Sequence, residues 1–445
     1  RLCLAGGRGF LMSDVMREPL DSAAASAPPC LRDFLLAGRV MWEASKLPTR
    51  KTEQWKYSGL QALQSAYAPA GDSPMELADA GLELPRFGGL RLVFINGRYC
   101  AEHSDTDIPE QVSLVRFADA NPEQAAQIRS HLGGAVGTDQ QLFTALNDAA
   151  LAEGVFLDIA PHAVIDQPLH IVWVSGNQGE AFSINQRLLV LSGESSSASL
   201  IEHFVGARSE QQSFTNGVTE LLIQDRATLC HYRLHLEEAA ALHIGRVHAR
   251  LGEQAVLNSF HLAFGSVLKR LDVIVDHLGQ RAHSELNGVY LPRGEEHVDY
   301  HTCVEHRVPN CTSSEIFRGI IGDDATAVFN GRIHIHRDAQ KTRAELSNRN
   351  LLTSTRAEVN SKPELEIYAD DVQCAHGATV AQLDEMSLHY LRSRGISRER
   401  AQVMLSFGFI NQVIDTVRNE SLREYLQTLL NDRFSSDPAL SGNVS

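Results

Sequence analysis

A cysteine and a histidine two residues apart form the most reactive motif of the sequence, Cys374-Ala375-His376. In an extended strand such residues point to one face, about 6.6 Å apart, so a thiolate and an imidazole can contact one metal ion or cluster. These ligands suit iron, zinc and iron–sulfur centres. Asp370 and Asp371 precede the motif and are acceptors that can orient a histidine. The spacing alone does not distinguish a metal site from a structural pair, in which a buried cysteine lies beside a hydrogen-bonded core histidine.

A second pair of histidines, His334 and His336, repeats the same spacing. Together with Cys374 and His376 it would supply the four ligands of a tetrahedral zinc site, provided that the fold brings the two segments together. A further dense patch consists of His297, His301, Cys303 and His306. This patch lacks the Cys-x-x-Cys spacing of metal fingers, so exposed strand residues are its simpler interpretation.

Nucleophilic catalysis by Cys374 with His376 as base is the rival interpretation of the motif. It requires an orienting group and an oxyanion site, and the sequence supplies no candidate for either. Neither a Gly-x-Ser-x-Gly elbow nor a phosphate-binding Gly-x-x-x-x-Gly-Lys-Ser/Thr loop occurs, so we expect no ATP site in this chain.

Basic and aromatic residues alternate in the segment Leu47–Tyr57. Such a segment can bind a phosphate or stack against a ring. A surface segment anchored by Trp55 and Tyr57 is the simpler interpretation.

Composition narrows the class of protein. The chain has 445 residues, a net charge of −15 and no basic block, which argues against nucleic-acid binding. No apolar run approaches the roughly 20 residues of a membrane span. Seven scattered cysteines favour a reducing, cytoplasmic location over a secreted disulfide scaffold. Residues 1–11 are interpreted as upstream sequence, with Met12 or Met16 as the natural start.

The region 155–381 is expected to be β-rich and carries the Cys-x-His motif near its end. Its similar turns begin at Gly193, Asp225, Gly252, Gly279 and Gly322, which are 32, 27, 27 and 43 residues apart. Spacings of 27–32 are typical of a solenoid, and ~27 residues per coil gives about eight coils. An antiparallel β-sandwich remains the alternative. The predicted strands are Val155–Ile159, Leu169–Val174, Leu188–Leu191, Leu200–Val205, Val218–Ile223, Leu229–Leu236, Leu257–Phe264, Leu271–Val275 and Ala327–Phe329.

Helical regions flank the β-rich core. We expect an upstream or disordered segment at 1–28, a helical domain with a β-hairpin at 29–154, a C-terminal helical domain at 382–434 and a disordered tail at 435–445. The C-terminal domain has an apolar stripe formed by Phe407, Ile410, Ile414 and Val417. This stripe either docks a partner or packs in the core. Ser421 and Glu424 predict a capping box at the start of the last helix, and the two helical regions are expected to cap the ends of the solenoid.

Several motifs, in order along residues 30–430, resemble those of the SufB/SufD family of iron–sulfur cluster assembly proteins, and SufD members more than SufB members. They are Leu47–Tyr57, Ile201–Phe204, Ala327–Gly331, Asn350–Leu352, Lys362–Val372, Cys374–Val380 and Tyr390–Ile396. The resemblance implies a mainly β fold, a right-handed parallel β-helix with helical N- and C-terminal regions.

The resemblance also implies partners and a site. A SufD-like chain pairs with a SufB-like paralogue, and its C-terminal helices hold a SufC-like ABC ATPase. His376 and Cys374 fall on the family's functional histidine and nearby cysteine, where a transient iron–sulfur cluster or iron is bound at the subunit interface and SufB adds a cysteine. Reduced flavin is associated with the complex, without an assigned site here. We therefore expect a non-catalytic scaffold; a passive β-helix partner without ligand residues and a stand-alone β-helix hydrolase are the alternatives.

Overall fold

The structure, a computed structural model, describes residues 16–64, 67–71, 82–136, 141–151, 153–176, 178–206 and 210–435. Its α-helices are α1 (Arg17–Ser26), α2 (Arg32–Ala44), α3 (Pro122–His131), α4 (Leu142–Ala149), α5 (Glu385–Ser393), α6 (Arg398–Ile414) and α7 (Glu420–Ser435). The strands that precede the core are β1 (Ala68–Pro69), β2 (Arg91–Ile95), β3 (Arg98–Tyr99) and β4 (Val112–Arg116). The core strands are β5 (Glu153–Ile159), β6 (Leu169–Ser175), β7 (Phe182–Ser192), β8 (Ser197–Gly206), β9 (Ser213–Ile223), β10 (Thr228–Leu236), β11 (Leu242–Leu251), β12 (Val256–Phe264), β13 (Leu268–His277), β14 (His283–Leu291), β15 (His297–His306), β16 (Thr312–Ile321), β17 (Thr326–Ile335), β18 (Arg343–Leu352), β19 (Glu358–Ile367) and β20 (Gln373–Gln382).

The core strands alternate between two parallel sheets. Sheet A has the order β19-β17-β15-β13-β11-β9-β7-β5-β4, and sheet B has the order β20-β18-β16-β14-β12-β10-β8-β6-β2-β3. Each coil therefore adds one strand to each sheet, and β5 to β20 make eight coils of a parallel β-solenoid. The predicted solenoid is confirmed, and the antiparallel sandwich is excluded because neighbouring core strands pair in parallel.

The corners between sheet A and sheet B explain the repeat in the sequence. At six of these corners, from β7–β8 to β17–β18, one residue has a left-handed backbone, and these residues are Ser195, Arg226, Gln254, Arg281, Asn310 and Lys341. The backbone N–H at a corner donates to a carbonyl in the next coil, as Ser195 does to Asp225 at 2.9 Å. The spacing of 43 arises because the turn at Gly322 lies at the opposite edge, between β16 in sheet B and β17 in sheet A.

Side chains between the sheets form the main core, and helices cover the outer faces. Apolar residues of α2 and α4, such as Trp42 and Leu146, pack with Phe214 and Leu242 on the outer face of sheet A. On the outer face of sheet B, α6 and α7 form a second cluster with strand residues such as Tyr232. The helical regions thus cover the faces of the sheets, which corrects the expectation that they cap the ends.

The predicted helices and hairpin of the N-terminal part are present. Asn121 caps α3 by accepting hydrogen bonds from the backbone of Glu123 and Gln124, and β2 and β3 form the hairpin. The prediction of disorder before residue 29 is wrong for α1, where Met16 and Leu20 are buried. Residues 1–11 and the tail beyond Ser435 lie outside the described residues.

The last two helices each begin at a residue whose side-chain oxygen caps the helix, and only the first of these caps was predicted. Ser397 accepts a hydrogen bond from the Arg400 N–H, as its position predicts. The last helix is capped by Asn419, whose Oδ1 accepts from the Leu422 N–H at 2.8 Å, so the predicted capping box at Ser421 is wrong. None of the helices in the described ranges has the length and apolarity needed to cross a membrane.

Candidate metal centre

The Cys-x-His motif lies on the last coil of the solenoid. Its strand, β20, pairs with β18, and β19 pairs with β17; these strands end the two sheets. No further coil covers the inward-facing side chains of these two strands. Ile367 and Val380, at such positions, are therefore 40% and 51% exposed. The chain thus ends its solenoid with two open strand edges and an open interior.

Register places both motif residues on the inward side of β20. Cys374 lies opposite Ala344 and His376 opposite Leu346, two residues whose side chains are buried inside the solenoid. Cys374 packs partly against this core, whereas His376 is exposed. Burial raises the pKa of the Cys374 thiol. The predicted strand geometry of the motif is therefore present.

The two aspartates that precede the motif lie in the corner between β19 and β20. Asp370 and Asp371 are exposed, and the backbone carbonyl of Asp371 accepts from the Lys341 N–H at 2.6 Å. Asp371 therefore contributes a main-chain contact to the corner ladder.

The described residues contain two groups of three side chains whose ligand atoms lie within 4.8 Å of one another. Neither group includes Cys374 or His376. The four-ligand zinc site, which required that the fold bring the two segments together, does not form, because His334 projects from the outer face of sheet A, whereas Cys374 faces inward from sheet B. The ligand set of Cys374 and His376 is thus incomplete within the described chain.

The first of the two groups is Glu305, His334 and His336. Glu305 and His334 are register partners on β15 and β17. Glu305 Oε2 lies 2.8 Å from His334 Nδ1 and 2.7 Å from His336 Nε2. Burial opposes ionisation of Glu305, but hydrogen bonding from His336 and contact with His334 outweigh it and lower its pKa. Glu305 was not predicted, although it precedes His334 by 29 residues, one coil of the solenoid.

The second group, His235, Glu237 and His243, is fully buried inside the solenoid. Desolvation opposes ionisation of Glu237, but His243 and Lys269 outweigh it and hold its pKa at about 2. Arg233 donates from Nε to His235 Nε2 at 3.1 Å, so the neutral imidazole carries its proton on Nδ1, the nitrogen that faces the carboxylate. This proton leaves no lone pair for a metal, and the group is an ion-pair network.

Strand alternation divides the predicted patch on β15. His301 and Cys303 face outward with Glu305 and line a polar cleft of about 340 Å³. His306 faces inward, fully buried, with its Nδ1 3.1 Å from His277 Nδ1. Burial raises the pKa of the Cys303 thiol to about 12. The expectation of four exposed strand residues is therefore wrong.

The segment 47–57 is held against the outer face of sheet A. Trp55 is buried, and the Arg270 guanidinium lies 4.0 Å from its ring centroid. Tyr57 is 42% exposed, so Trp55 is the anchor. Glu53 reaches the last coil, where its Oε1 lies 2.6 Å from Lys362 Nζ. The surface-anchor interpretation is confirmed for Trp55.

The C-terminal apolar stripe packs within the chain. Ile410, Ile414 and Val417 are fully buried in the cluster with sheet B, and Phe407 is half-buried against Phe434. The buried members cannot contact a partner unless the helices separate from the sheet. The C-terminal helices also carry exposed apolar side chains, namely Met386 and Tyr390 on α5 and Met404 on α6.

Comparisons with known proteins show the family to which the chain belongs. The family model of the SufBD protein N-terminal region matches residues 37–171, and that of the SufBD core domain of SUF system FeS cluster assembly matches residues 174–409. The chain belongs to the SufBD family of iron–sulfur cluster assembly proteins.

Within this family, the chain is similar to SufD of Escherichia coli K12, an iron–sulfur cluster assembly protein. The two are 30% identical over 394 residues, which cover 87% of this chain and 89% of that protein. A SufBD family protein of Synechocystis is 27% identical over 87% of this chain and 88% of its own length. The chloroplastic protein ABCI7 of Arabidopsis thaliana is 28% identical, covering 93% and 88%.

Proposed function

We propose that this chain is a non-catalytic scaffold subunit on which iron or a nascent iron–sulfur cluster is assembled at an interface with a SufB-like subunit. The observation that carries the proposal is the position of Cys374 and His376 together on the uncovered last coil. Their ligand set is incomplete within the described residues. A partner seated on this coil would supply the remaining ligands, since iron–sulfur clusters need several thiolate or imidazole donors.

The open edges of β19 and β20 support a partner that is itself a β-solenoid. A strand that ends a sheet has unpaired N–H and C=O groups, which pair readily with a strand of another chain. Apolar side chains are exposed beside these edges at Ile367, Tyr368 and Val380. A SufB-like paralogue with a matching open end would cover the edges and the apolar side chains together.

The environment of Cys374 couples ligand binding to loss of a proton. Burial raises the pKa of this thiol, so the free chain holds it protonated at neutral pH. A soft metal binds the thiolate, and binding therefore displaces the proton. His376 supplies an imidazole from an exposed position. The scaffold holds ligands and provides no catalytic group of its own.

ATP hydrolysis is assigned to a SufC-like partner that contacts the solvent side of α5 and α6. Met386 and Tyr390 on α5 and Met404 on α6 are apolar side chains with exposed fractions of 76%, 58% and 46%. The buried side of α6 packs in one cluster with Ile320 and Leu351 on β16 and β18, the sheet B strands nearest the last coil. Movement of the helices would therefore be transmitted to the strand next to β20. We propose a cytoplasmic location for this complex.

Exposed side chains at the edge allow a test of the interface without damage to the core. Val380→Asp should abolish co-purification with a SufB-like protein of the same host, because it places a charge in the interface. Val267→Asp is the matched control, since Val267 is 49% exposed away from the last coil and Val380 is 51% exposed. Co-purification of the Val380→Asp chain at the level of the control would contradict the interface.

A second experiment tests the ligands. The co-expressed complex is reconstituted anaerobically with iron and sulfide, and bound cluster is measured by visible absorption and acid-labile sulfide. We expect Cys374→Ser and His376→Ala to reduce bound cluster at least fivefold, with His103→Ala as the control. Retention of full cluster content by both variants would favour the passive structural partner.

A further inference from the structure

We propose that Glu305, His334 and His336 form a second metal site, which binds one divalent transition-metal ion on the outer face of sheet A. This site lies on β15, β17 and the turn after β17, away from the inward-facing Cys374. The inference does not depend on the function proposed for the last coil.

The ligand atoms already converge. Glu305 Oε2 lies 2.8 Å from His334 Nδ1 and 2.7 Å from His336 Nε2, and all three atoms lie within 4.8 Å of one another. Imidazole nitrogens and carboxylate oxygens bind such metals at about 2.0–2.2 Å, which places neighbouring ligand atoms roughly 3 Å apart. Small side-chain movements therefore suffice to admit the ion.

His334 Nδ1 is buried and makes no hydrogen bond, although the carboxylate oxygen is only 2.8 Å away. Nitrogen and oxygen thus face each other without the alignment that a shared proton requires. A buried polar atom without a partner is costly in the absence of a ligand. A metal ion between the two atoms would satisfy both.

Neighbouring charges orient the carboxylate and leave one oxygen for the metal. Arg332 Nη2 donates to Glu305 Oε1 at 3.0 Å, on the side away from the histidines. Cys303 Sγ also contacts Oε1, at 3.5 Å, and is thereby an outer neighbour of the site. Arg332 is held in turn by Glu366, 3.3 Å from its Nη1. Outer contacts of this kind orient metal-binding carboxylates.

Arg307 is the cation that opposes metal binding most directly. Its Nη1 lies 3.5 Å from His336 Nε2, and its Nη2 lies 3.6 Å from Glu305 Oε2. Its side chain is 43% exposed and is also paired with Asp276, 2.8 Å from Nε. The guanidinium can therefore move toward solvent and keep its pairing with Asp276 while a metal takes its place.

The donor set selects the class of metal. Two imidazoles and one carboxylate suit Fe²⁺, Co²⁺ and Zn²⁺, whereas Ca²⁺ and Mg²⁺ prefer oxygen ligands. Glu305 also lines the polar cleft of about 340 Å³, so the remaining coordination positions are open to water.

The test uses the full chain without an affinity tag, carrying Cys374→Ser and His376→Ala so that the last coil contributes no ligands. Co²⁺ is titrated by visible absorption, and stoichiometry is measured by equilibrium dialysis. We expect one bound Co²⁺ per chain, with affinity at least tenfold weaker in Glu305→Gln or His334→Gln/His336→Gln. His389→Gln, at an exposed position on α5, should leave the affinity unchanged. Absence of stoichiometric Co²⁺ binding, or equal affinity in all variants, would overturn the site.

A measurement on the unmutated chain covers the case in which the variants fail to fold. Histidines are modified with diethyl pyrocarbonate, with and without Zn²⁺, and modification is measured peptide by peptide by mass spectrometry. Bound Zn²⁺ should slow modification of His334 and His336 at least fivefold relative to His389. Equal rates with and without the metal would refute the proposal.

Discussion

His203 is expected to make the stability of this protein depend on pH through the contact between sheet B and the C-terminal helices. It projects outward from β8 between His170 and Tyr425, whose rings lie 5.6 and 5.9 Å away. Both ring nitrogens are buried without a hydrogen-bond partner in the described structure. Burial lowers the pKa of His203 to about 4, and Glu237 opposes this shift only in part.

The magnitude follows from proton linkage. A histidine in an unfolded chain has a pKa near 6.5, so between pH 6.5 and 4 the unfolded state takes up a proton that the folded state excludes. Stability is therefore present above pH ~6.5 and is lost as the pH falls toward the folded pKa of about 4. At pH 5 the loss from His203 alone is about 2 kcal/mol. His306, whose pKa burial also lowers to about 4, adds a similar loss.

His203→Phe separates this effect from general acid denaturation. Phenylalanine keeps a ring between His170 and Tyr425 and removes the unpaired nitrogens. We expect the variant to be at least as stable as the original chain at pH 8 and more stable by about 2 kcal/mol at pH 5. The assay is urea unfolding from pH 8 to 5, followed by tryptophan fluorescence, with His389→Gln as the exposed control. Parallel pH profiles for His203→Phe and the original chain would refute the reasoning.

Two further predictions concern packing. Ile414→Ala should lower the free energy of unfolding by about 2–5 kcal/mol, because Ile414 is fully buried; Met404→Ala, at a side chain that is 46% exposed, should change it by less than about 0.5 kcal/mol in the same urea assay. Gly288→Ala should cost about 1–3 kcal/mol, since its Cβ would lie 2.3 Å from the ring of Phe317. The Cβ added by Gly377→Ala meets no atom within 4 Å, so this change should not alter stability. Equal effects of the two glycine changes in thermal unfolding would contradict the close packing of Gly288 against Phe317.

The corners of the solenoid were predictable because their signal is local. A small turn with one left-handed residue is followed by a small inward side chain, such as Ala227, Ala255 or Ala282. At the corners of Asn310 and Lys341 the following residues are Cys311 and Thr342, both fully buried, and the sequence pattern fails there. The residues differ, but the space between corners still admits only a small side chain.

The strands from β14 onward were mostly missed because polar residues interrupt their apolar pattern. On β15 the inward Val298, Tyr300 and Val304 are buried in the core, but Thr302 and His306 are buried on the same face. The outward Asp299 and Glu305 are buried as well. Helices and the N-terminal segment cover the outer faces, and both sides of many strands are buried. The usual contrast between a solvent-exposed polar face and a buried apolar face is then absent.

The candidate sites differ in how far sequence could predict them. The proximity of Cys374 and His376 follows from strand geometry alone, but their exposure depends on the end of the sheet, which no local pattern reveals. The pairing of Glu305 with His334 requires the coil length to within one residue, because a shift by one moves a side chain to the other face. A 29-residue offset between β15 and β17 was not deducible from turns spaced 27 to 43 apart.

Two cysteines on the same solenoid show how position along the coils determines reactivity. Cys311 faces inward at a corner, is fully buried, and accordingly packs like the alanines of other coils. Cys374 also faces inward, but the last coil leaves it partly exposed. A partner that adds a coil over β19 and β20 would bury Cys374 as Cys311 is buried. In the proposed complex, metal would have to reach Cys374 before the partner closes or while it moves away, so the proposed ATP-driven movement would control access to the ligands.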